Sequence, residues 1–529
     1  MHICLLPTEI LFRIFTTIYG DTTSMYEDSI TISRATLATL ARTCRTFKEP
    51  ALDILWKHLD GFEPLVLCLP ESVRNRDVQG KLTLKRPPFI REWRIVCQYA
   101  QRIHFLSIDQ TSLDIIDDRV IQTLMFALPP TPLLPNLRTL HWWDARDRFL
   151  PLLRFLLGST ITSLELGFDD RAPSFARSAL LTSLSARCPF IREFTCTGHG
   201  EDSQEILDVI CEAVCGWQKL SHFSTGILNT QALTHLATLS SLKSLSFETC
   251  DLNDMQPNST PIFFRQLNDV SISTSSPSAL TQYLRNVHFL SCRSMQLSIY
   301  RNNNGPVYDP LDIPDFIASL SEGFSPDLEQ LEVLLNTGFE RSEELNDPRF
   351  AIAFGVIAPL LSLRRLTTLD LSWLCTSAID DVSLKRMAQS WPELERFHFG
   401  GGVRWLVPPS LTFIGLIHLV HHCRRLHTIE MTFHAGSIDT NSELFSKIIP
   451  NNNITSVDVG FSPIVDPFAV ACQLHALLPN LTEVFAFRDM SFGPALFKNL
   501  EAEWKRVNEF LKTLIAGAKI KEKIDQRPY

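Results

Sequence analysis

Three groups of residues have side chains of the types that catalysis or metal binding uses. Glycines occupy residues 400–402, but a phosphate-binding loop needs a different glycine spacing and a lysine. Cys211 and Cys215 are four residues apart, so they would share one face of a helix. Another helical segment carries His418, His421, His422 and Cys423. Neither of these groups has the paired ligand spacing of a zinc site, and packing is the favoured interpretation of both.

The patterns of a nucleophilic enzyme are also missing from the sequence. No Gly-x-Ser-x-Gly segment occurs, and no cysteine–histidine pair stands out among 13 cysteines and 15 histidines. We therefore predict no catalytic residue, no metal and no cofactor. A hydrolase whose site is assembled from distant segments is left as one alternative.

Acidic residues, in contrast, recur at related positions along most of the chain. They are Asp109, Glu165, Glu193, Glu248, Asp269, Glu332, Asp370, Glu430, Asp458 and Glu483. A single base, Arg396, occupies an equivalent position. If the segments are strands, these side chains share the face that is not buried. We predict an electronegative surface that favours a partner rich in Lys or Arg; the alternative is that solvated positions tolerate acids in an acidic chain.

The predicted substrate surface combines some of these charges with an exposed aromatic residue. Its members are Trp143, Glu165, Glu332, Asp370, Arg396, Glu430 and Asp458. Phe485 and Phe487 fall in the same rows as Trp143, and aromatic side chains often dominate binding energy. All three aromatic residues are equally compatible with packing beneath a loop.

A short apolar pattern determines where these side chains would lie. The pattern apolar-x-x-apolar-x-apolar occurs 14 times, at intervals of 22 to 38 residues. Its first positions are Ile103, Leu137, Ile161, Ile191, Leu220, Leu242, Leu267, Cys292, Leu328, Leu366, Leu394, Leu426, Ile454 and Leu481. This spacing is typical of a leucine-rich repeat that carries a strand and a helix. The copy that begins at Leu242 continues to Cys250 and Leu252, as in the repeat signature.

The sequence predicts an α/β fold with a helical module in front of a curved solenoid. We expect a three-helix module over residues 1–60, and a linker with cap helices over residues 61–100. The solenoid, with a parallel concave sheet and outer helices, would cover residues 101–490. Residues 491–529 would form a C-terminal capping helix and tail.

Composition narrows the class of protein. The chain has 529 residues, of which 45% are hydrophobic and 20% charged, and its net charge is −9. This balance is typical of a folded protein and argues against nucleic acid as the main partner. The odd number of cysteines favours a reducing compartment. With neither a signal peptide nor a long apolar segment, we expect no membrane association and a location inside the cell, in the cytoplasm, the nucleus or both.

The first helix has more apolar surface than one buried face requires. Leu6, Ile10 and Ile14 form one stripe, and Leu11, Phe15 and Ile18 form another. In so small a module, one stripe would face inward and the other would be offered to a partner. The alternative is that the second stripe packs on the repeats that follow.

The order of the apolar segments resembles an F-box. The matching segments read L-P-T-E-I-L-F-R-I-F, then L-A-T-L-A-R-T-C-R-T-F, then A-L-D-I-L-W, and they span about 50 residues. The whole chain is similar to the fungal group of F-box proteins with degenerate leucine-rich repeats. Two features depart from the family: the connection from Gly20 to Thr31 is long, and Phe47 stands where a tryptophan is common.

This resemblance implies a Skp-type adaptor, and through it a cullin, as partners. The residues that it assigns to the adaptor contact or its support are Leu6, Pro7, Ile10, Leu11, Ile14, Phe15, Leu40, Cys44, Phe47, Leu55 and Trp56. The implied function is a non-catalytic substrate receptor of a ubiquitin ligase, whose repeats capture an unidentified protein. The main alternative is a repeat scaffold that binds a partner without any ligase.

Overall fold

The chain forms two compact units, Met1–Ser241 and Leu242–Tyr529. The computed structural model describes residues 6–19, 27–126, 132–168, 175–197, 204–249, 260–300, 309–336, 345–403, 405–436, 449–486 and 495–525. Cys250, Leu252 and Phe487, which the sequence analysis singled out, lie outside these ranges.

The first unit begins with a head of three helices, α1 (Thr8–Tyr19), α2 (Glu27–Thr43) and α3 (Arg45–Leu55). Their shared core consists of Leu11, Phe15, Tyr19, Leu37, Phe47, Ala51 and Ile54. The α1 members are spaced four residues apart and therefore lie on one side of the helix. The rings of Phe15 and Phe47 meet edge to face with their centroids 5.5 Å apart. A module this small depends on a few such contacts for its stability.

The first unit continues with short strands and helices in alternation. The strands are β1 (His58–Asp60), β2 (Arg74–Arg76), β3 (Leu82–Leu84), β4 (Phe105–Asp109), β5 (Thr139–Trp143), β6 (Ser163–Gly167), β7 (Glu193–Thr197) and β8 (His222–Ile227). The helices are α4 (Glu63–Leu67), α5 (Ile90–Ala100), α6 (Gln110–Asp114), α7 (Asp118–Phe126), α8 (Leu150–Leu156), α9 (Phe175–Thr182), α10 (Leu184–Arg187), α11 (Gln204–Cys215) and α12 (Thr230–Thr238).

The second unit repeats the same alternation. Its strands are β9 (Ser244–Thr249), β10 (Ile262–Phe264), β11 (Asp269–Thr274), β12 (Val287–Phe289), β13 (Ser294–Tyr300), β14 (Gln330–Asn336), β15 (Thr368–Leu371), β16 (Arg396–Phe399), β17 (Thr428–Met431), β18 (Ser456–Asp458) and β19 (Glu483–Phe485). Its helices are α13 (Pro277–Asn286), α14 (Ile313–Gly323), α15 (Phe354–Ile357), α16 (Asp381–Ser390), α17 (Phe413–His422), α18 (Pro467–Leu477) and α19 (Ala495–Asp525).

The apolar sequence pattern sets the position of each main strand. All 14 first positions of the pattern, from Ile103 to Leu481, lie two residues before a strand, and none is more than 2% exposed. The strands pair in parallel, in the order β1-β4-β5-β6-β7-β8 in the first unit and β9-β11-β13-β14-β15-β16-β17-β18-β19 in the second. The prediction of an α/β fold, with a helical module followed by a solenoid of parallel strands and outer helices, is confirmed.

Alternate residues of each strand face opposite sides, and β14 shows the rule. Leu331, Val333 and Leu335 are fully buried on the side of the helices, whereas Glu332 between them is half-buried. We call the side that carries Glu332 and its equivalents the open face of the sheet. The open face holds the polar positions that the sequence pattern predicted.

Polar side chains beside the first apolar position join several repeats to the previous one. The Asn136 amide donates to the Gln101 carbonyl over 2.7 Å, and the Asn480 amide donates to the Asn452 carbonyl over 2.9 Å. Hydroxyls of Ser and Thr take the same role elsewhere. They are Ser221, Ser241, Ser291, Thr367 and Thr482, each donating to a carbonyl of the preceding repeat. Side chains next to the first apolar position thus satisfy carbonyls of the preceding repeat, in repeats most of which lack the Asn or Cys of the signature after the strand.

The head is tied to the first strands by contacts within the first unit. Strand β1 follows α3 directly and pairs with β4. The Arg102 guanidinium forms ion pairs with Glu49 and Asp53 of α3. The rings of Trp56 and Tyr99 lie 4.7 Å apart. Strand β1 lacks the apolar pattern, so the sequence did not predict it.

The last strand of the second unit is covered by α19. Trp504, Val507 and Leu511 of this helix are buried. The Asn508 side chain accepts the Val484 N–H and donates to the Val484 carbonyl, both over 2.8 Å, as a neighbouring strand would. The helix therefore satisfies part of an edge that would otherwise be free to pair with another chain. No helix in the described ranges is long and apolar enough to cross a membrane.

Candidate functional site

The head leaves apolar side chains of α1 exposed to solvent. Ile10 is 45% exposed, Pro7 is exposed, and Leu6 and Ile14 are half-buried. Ile10 and Ile14 lie on one side of α1, Leu6 and Pro7 directly precede the helix, and we call these four residues the head face. Leu6 and Ile14 also pack against the head core. Phe12 and Ile18 are also exposed, at 39% and 38%, but Phe12 lies on the side of α1 away from Ile10. Ile18 therefore differs from Leu11 and Phe15, the other members of its predicted stripe, which are buried.

Three of the predicted contact residues lie inside the head instead. Leu11 is fully buried, Phe15 is 2% exposed and Phe47 is 6% exposed, all within the head core. Their side chains are covered by the other helices of the head and so cannot form a docking surface. They support the position of the head face, which is the second of the two roles that the resemblance implies for the predicted residues.

The remaining predicted contact residues occupy intermediate positions. Leu40, Cys44 and Leu55 are half-buried and pack against the head core. Trp56 is half-buried and stacks on Tyr99, so it joins the head to the first repeats. The structure thus separates the predicted residues into a core, a flank and an exposed head face. Sequence reasoning could not make this division, because it depends on which helices cover each side chain.

The open face of the second unit carries a row of charged side chains on five consecutive paired strands. The row, which we call the central row, consists of Glu332, Asp370, His398, Glu430 and Asp458 of β14 to β18. Paired strands lie about 4.8 Å apart, so each side chain neighbours the next. Four of the five residues are members of the predicted substrate surface, and the structure brings them into one line.

His398 was not among the predicted site residues, yet it lies in the middle of this row. Its Nδ1 atom is 3.2 Å from Asp370 Oδ2 and 3.8 Å from Glu430 Oε2. The hydrogen bond with Asp370 raises the pKa of His398 against the opposing effect of burial. Burial alone would raise the pKa of Asp370, but hydrogen bonds from His398 and Ser372 lower it overall. The signal was present in the sequence, since His398 occupies the same pattern position as the acids.

Arg396, the one predicted base, lies outside the central row. It is paired in register with Thr368 and Thr428 and is exposed, and its Nε donates to Thr368 Oγ1 over 3.2 Å. Arg396 lies two residues before His398, and its charge lowers the pKa of His398 against the larger effect of the Asp370 hydrogen bond.

The open face of the first unit mixes aromatic and polar side chains. Trp143 is 45% exposed at the end of β5. Glu165 of β6 lies 3.3 Å from His141 Nδ1, and the His141 ring contacts Phe105 with 4.7 Å between centroids. These residues lie on neighbouring paired strands, so Trp143 and Glu165 belong to one surface.

The cysteines and glycines that the sequence analysis considered for catalysis or metal binding serve packing in the structure. Within the described residues, no three His, Cys, Asp or Glu side chains come together as metal ligands. Burial raises the pKa of Cys211 to about 11 and that of Cys423 to about 12, which disfavours the reactive thiolate at neutral pH. Gly400 adopts a φ of 71°, and a Cβ there would lie 2.1 Å from Thr376 Oγ1. The glycines therefore permit close packing of loops.

Comparisons with known proteins identify a family for the head of the chain. Residues 3–61 match the family model described as F-box-like, which confirms the F-box resemblance of the head. A chain in the crystal structure of the Rad7 and Elc1 complex in yeast is similar over 66% of this chain and 82% of that chain, with 16% sequence identity and a TM-score of 0.31. No curated protein matches the chain.

Proposed function

We propose that the chain is the non-catalytic substrate-recognition subunit of a Skp–cullin–F-box ubiquitin ligase. The observation that carries the proposal is the F-box-like match over residues 3–61 together with the exposed apolar head face. An F-box binds a Skp-type adaptor, and the adaptor connects it to a cullin. The resemblance to fungal F-box proteins with degenerate leucine-rich repeats is part of the same proposal.

The head face has the chemistry of an adaptor contact. Full burial of an aliphatic side chain such as Ile10 is worth about 1.5–3 kcal/mol. A few such contacts are sufficient for micromolar binding or better, after the entropy cost of association. Because Leu11 and Phe15 fix α1 from inside, the outer side chains are presented in a defined geometry.

The open faces of the sheets are the proposed substrate surface. The central row offers Asp370, Glu430 and other acids in one line, and Trp143 is an exposed aromatic residue in the first unit. Negative potential combined with an aromatic anchor suits a protein segment rich in Lys or Arg. Ubiquitin transfer would then be favoured by the high local concentration of the bound substrate near a charged ubiquitin carrier.

Co-purification of the full chain with a Skp-type adaptor tests the ligase proposal. We expect the unchanged chain to retain the adaptor and the double variant Pro7→Ala, Ile10→Asp to lose it, because an unpaired carboxylate would be buried in the contact. Thr16→Asp is the matched control. Thr16 is exposed about 120° around α1 from Ile10, so this variant should retain the adaptor.

The same experiment distinguishes the ligase proposal from the main alternative, a repeat scaffold. A repeat scaffold without ligase association would recover no adaptor with the unchanged chain. Retention of the adaptor by the double variant would contradict the assignment of the head face. Hydrogen exchange of α2 and α3 shows whether the variants keep the folded head.

A further inference from the structure

Trp143 differs from the buried tryptophans of the chain in its surroundings. Among the buried tryptophans, Trp142 and Trp217 donate their indole N–H to backbone carbonyls, whereas Trp93 and Trp391 have no partner for theirs among the described residues, so exposure is what distinguishes Trp143. Trp143 is 45% exposed, and within the described ranges its indole N–H makes no hydrogen bond. An aromatic side chain of this size on an open sheet face is available for a ligand.

Gly167 on the neighbouring strand supports the Trp143 ring. A Cβ atom at this glycine would lie 2.1 Å from Cε3 and 2.7 Å from Cζ3 of Trp143. The φ angle of Gly167 lies outside the left-handed region, so backbone strain does not require glycine here. The absent side chain instead lets the six-membered ring lie directly against strand β6. The ring is thereby held in one place while part of it stays exposed.

The charged strand positions around this ring are all acidic, and the guanidinium of Arg146, three residues after Trp143, is paired with Asp144 and Asp114. Strands β4 to β8 contain the acids Asp109, Glu165 and Glu193 and neither lysine nor arginine. Asp109 is directly opposite Trp143 in the β4–β5 register. Glu165 lies two residues before Gly167 and so shares its face. Hydrogen bonds from the Ser112 N–H and the Thr111 hydroxyl fix the Asp109 carboxylate at the end of β4.

We propose that Trp143, supported by Gly167 and flanked by Asp109 and Glu165, forms a subsite for an arginine side chain of a protein substrate. A guanidinium is planar, stacks on an aromatic face and is attracted by both the ring and the carboxylates. An apolar side chain would be attracted by contact with the ring alone and would gain nothing from the carboxylates. This inference rests on the proposed function, since it assigns a side-chain specificity to the substrate surface.

Binding of a fluorescein-labelled hexa-arginine peptide to the full chain at low ionic strength tests the subsite. Fluorine NMR with 5-fluorotryptophan gives a site-specific signal, because Trp143→Phe removes one resonance and so identifies it. We expect hexa-arginine to shift the Trp143 resonance and the uncharged analogue hexacitrulline to leave it in place. Trp143→Ala should weaken peptide binding about fivefold.

Gly167→Ala provides a second test that retains the indole. Its new methyl group must displace the ring, so binding should weaken as in Trp143→Ala. Gly158→Ala is the matched control, because a Cβ there meets no atom within 4 Å. The resonances of the other tryptophans report whether each variant is folded.

Three results would overturn the subsite. They are hexa-arginine binding that leaves the Trp143 resonance unmoved, an equal shift with hexacitrulline, and no binding of hexa-arginine at all. Failure of the ligase proposal gives a different result, loss of adaptor co-purification by the unchanged chain, which leaves the peptide measurement unaffected.

Discussion

The head and the open faces of the sheets are both exposed, but their chemistry is opposite. The head face presents Ile10 and Pro7 with no acidic side chain among its members. The central row presents four carboxylates around one histidine. An apolar surface gains most from a partner that covers it permanently, whereas a charged surface selects partners by potential and releases them more readily. The difference fits one constant partner at the head and variable partners at the sheets.

The largest expected effect tests whether the inner and outer sides of α1 have different roles. Phe15→Ala should lower the free energy of unfolding of the head by about 3–5 kcal/mol, because it leaves a cavity in the core. Hydrogen exchange of residues 8–19 and 45–55 in urea measures the change. Phe12→Ala on the exposed side should change it by less than about 1 kcal/mol. Equal effects of both variants would remove the distinction between the two sides.

The next largest effect is a difference between the two surfaces in how strongly salt weakens their binding. Raising the salt concentration from about 0.05 to 0.5 M should weaken hexa-arginine binding on the order of tenfold, because it screens the carboxylates. Retention of the adaptor by the head should change little over the same range. Polarisation titrations and co-purification at matched salt concentrations measure both. A comparable loss at the head would show that charge, and not apolar burial, governs that contact.

A smaller effect concerns the attachment of the head to the first strands. Arg102→Ala should destabilise the head by about 1 kcal/mol, since two partly exposed ion pairs are lost. Hydrogen exchange of α3 measures it. Arg365→Ala is the control, because its pair with Asp327 is far more exposed and should contribute less. If both variants behave alike, the Arg102 pairs do not fix the head in place.

The smallest effect tests the histidine within the central row. The pKa of His398 is raised, so its charged form stabilises the fold below about pH 6.5, and this contribution is lost as the pH rises through the higher folded value. His398→Gln should remove this pH-dependent contribution to the free energy of unfolding. Urea unfolding between pH 5 and about 8 measures it. His427→Gln, at an exposed site, is the matched control variant.

Much of the fold follows from local pattern, as the first apolar positions show. Buried residues such as Leu328 and Leu366 lie two residues before their strands, because each repeat must bury the same positions against its neighbours. Strand β1 was missed because it is built from the end of the head and lacks the pattern. Asn508 was missed because its bond to the edge of β19 joins residues that no local rule relates.

The sequence by itself determined the order of elements, the helical head with its F-box resemblance, and the acidic character of the strand positions. These properties depend on spacing and side-chain type, which one segment contains in full. Tertiary structure decided that Leu11 and Phe15 are core while Ile10 is surface, that His398 joins the carboxylates, and that Gly167 supports Trp143. Each of these depends on which segment covers or neighbours another, and that follows from packing between residues distant in the chain.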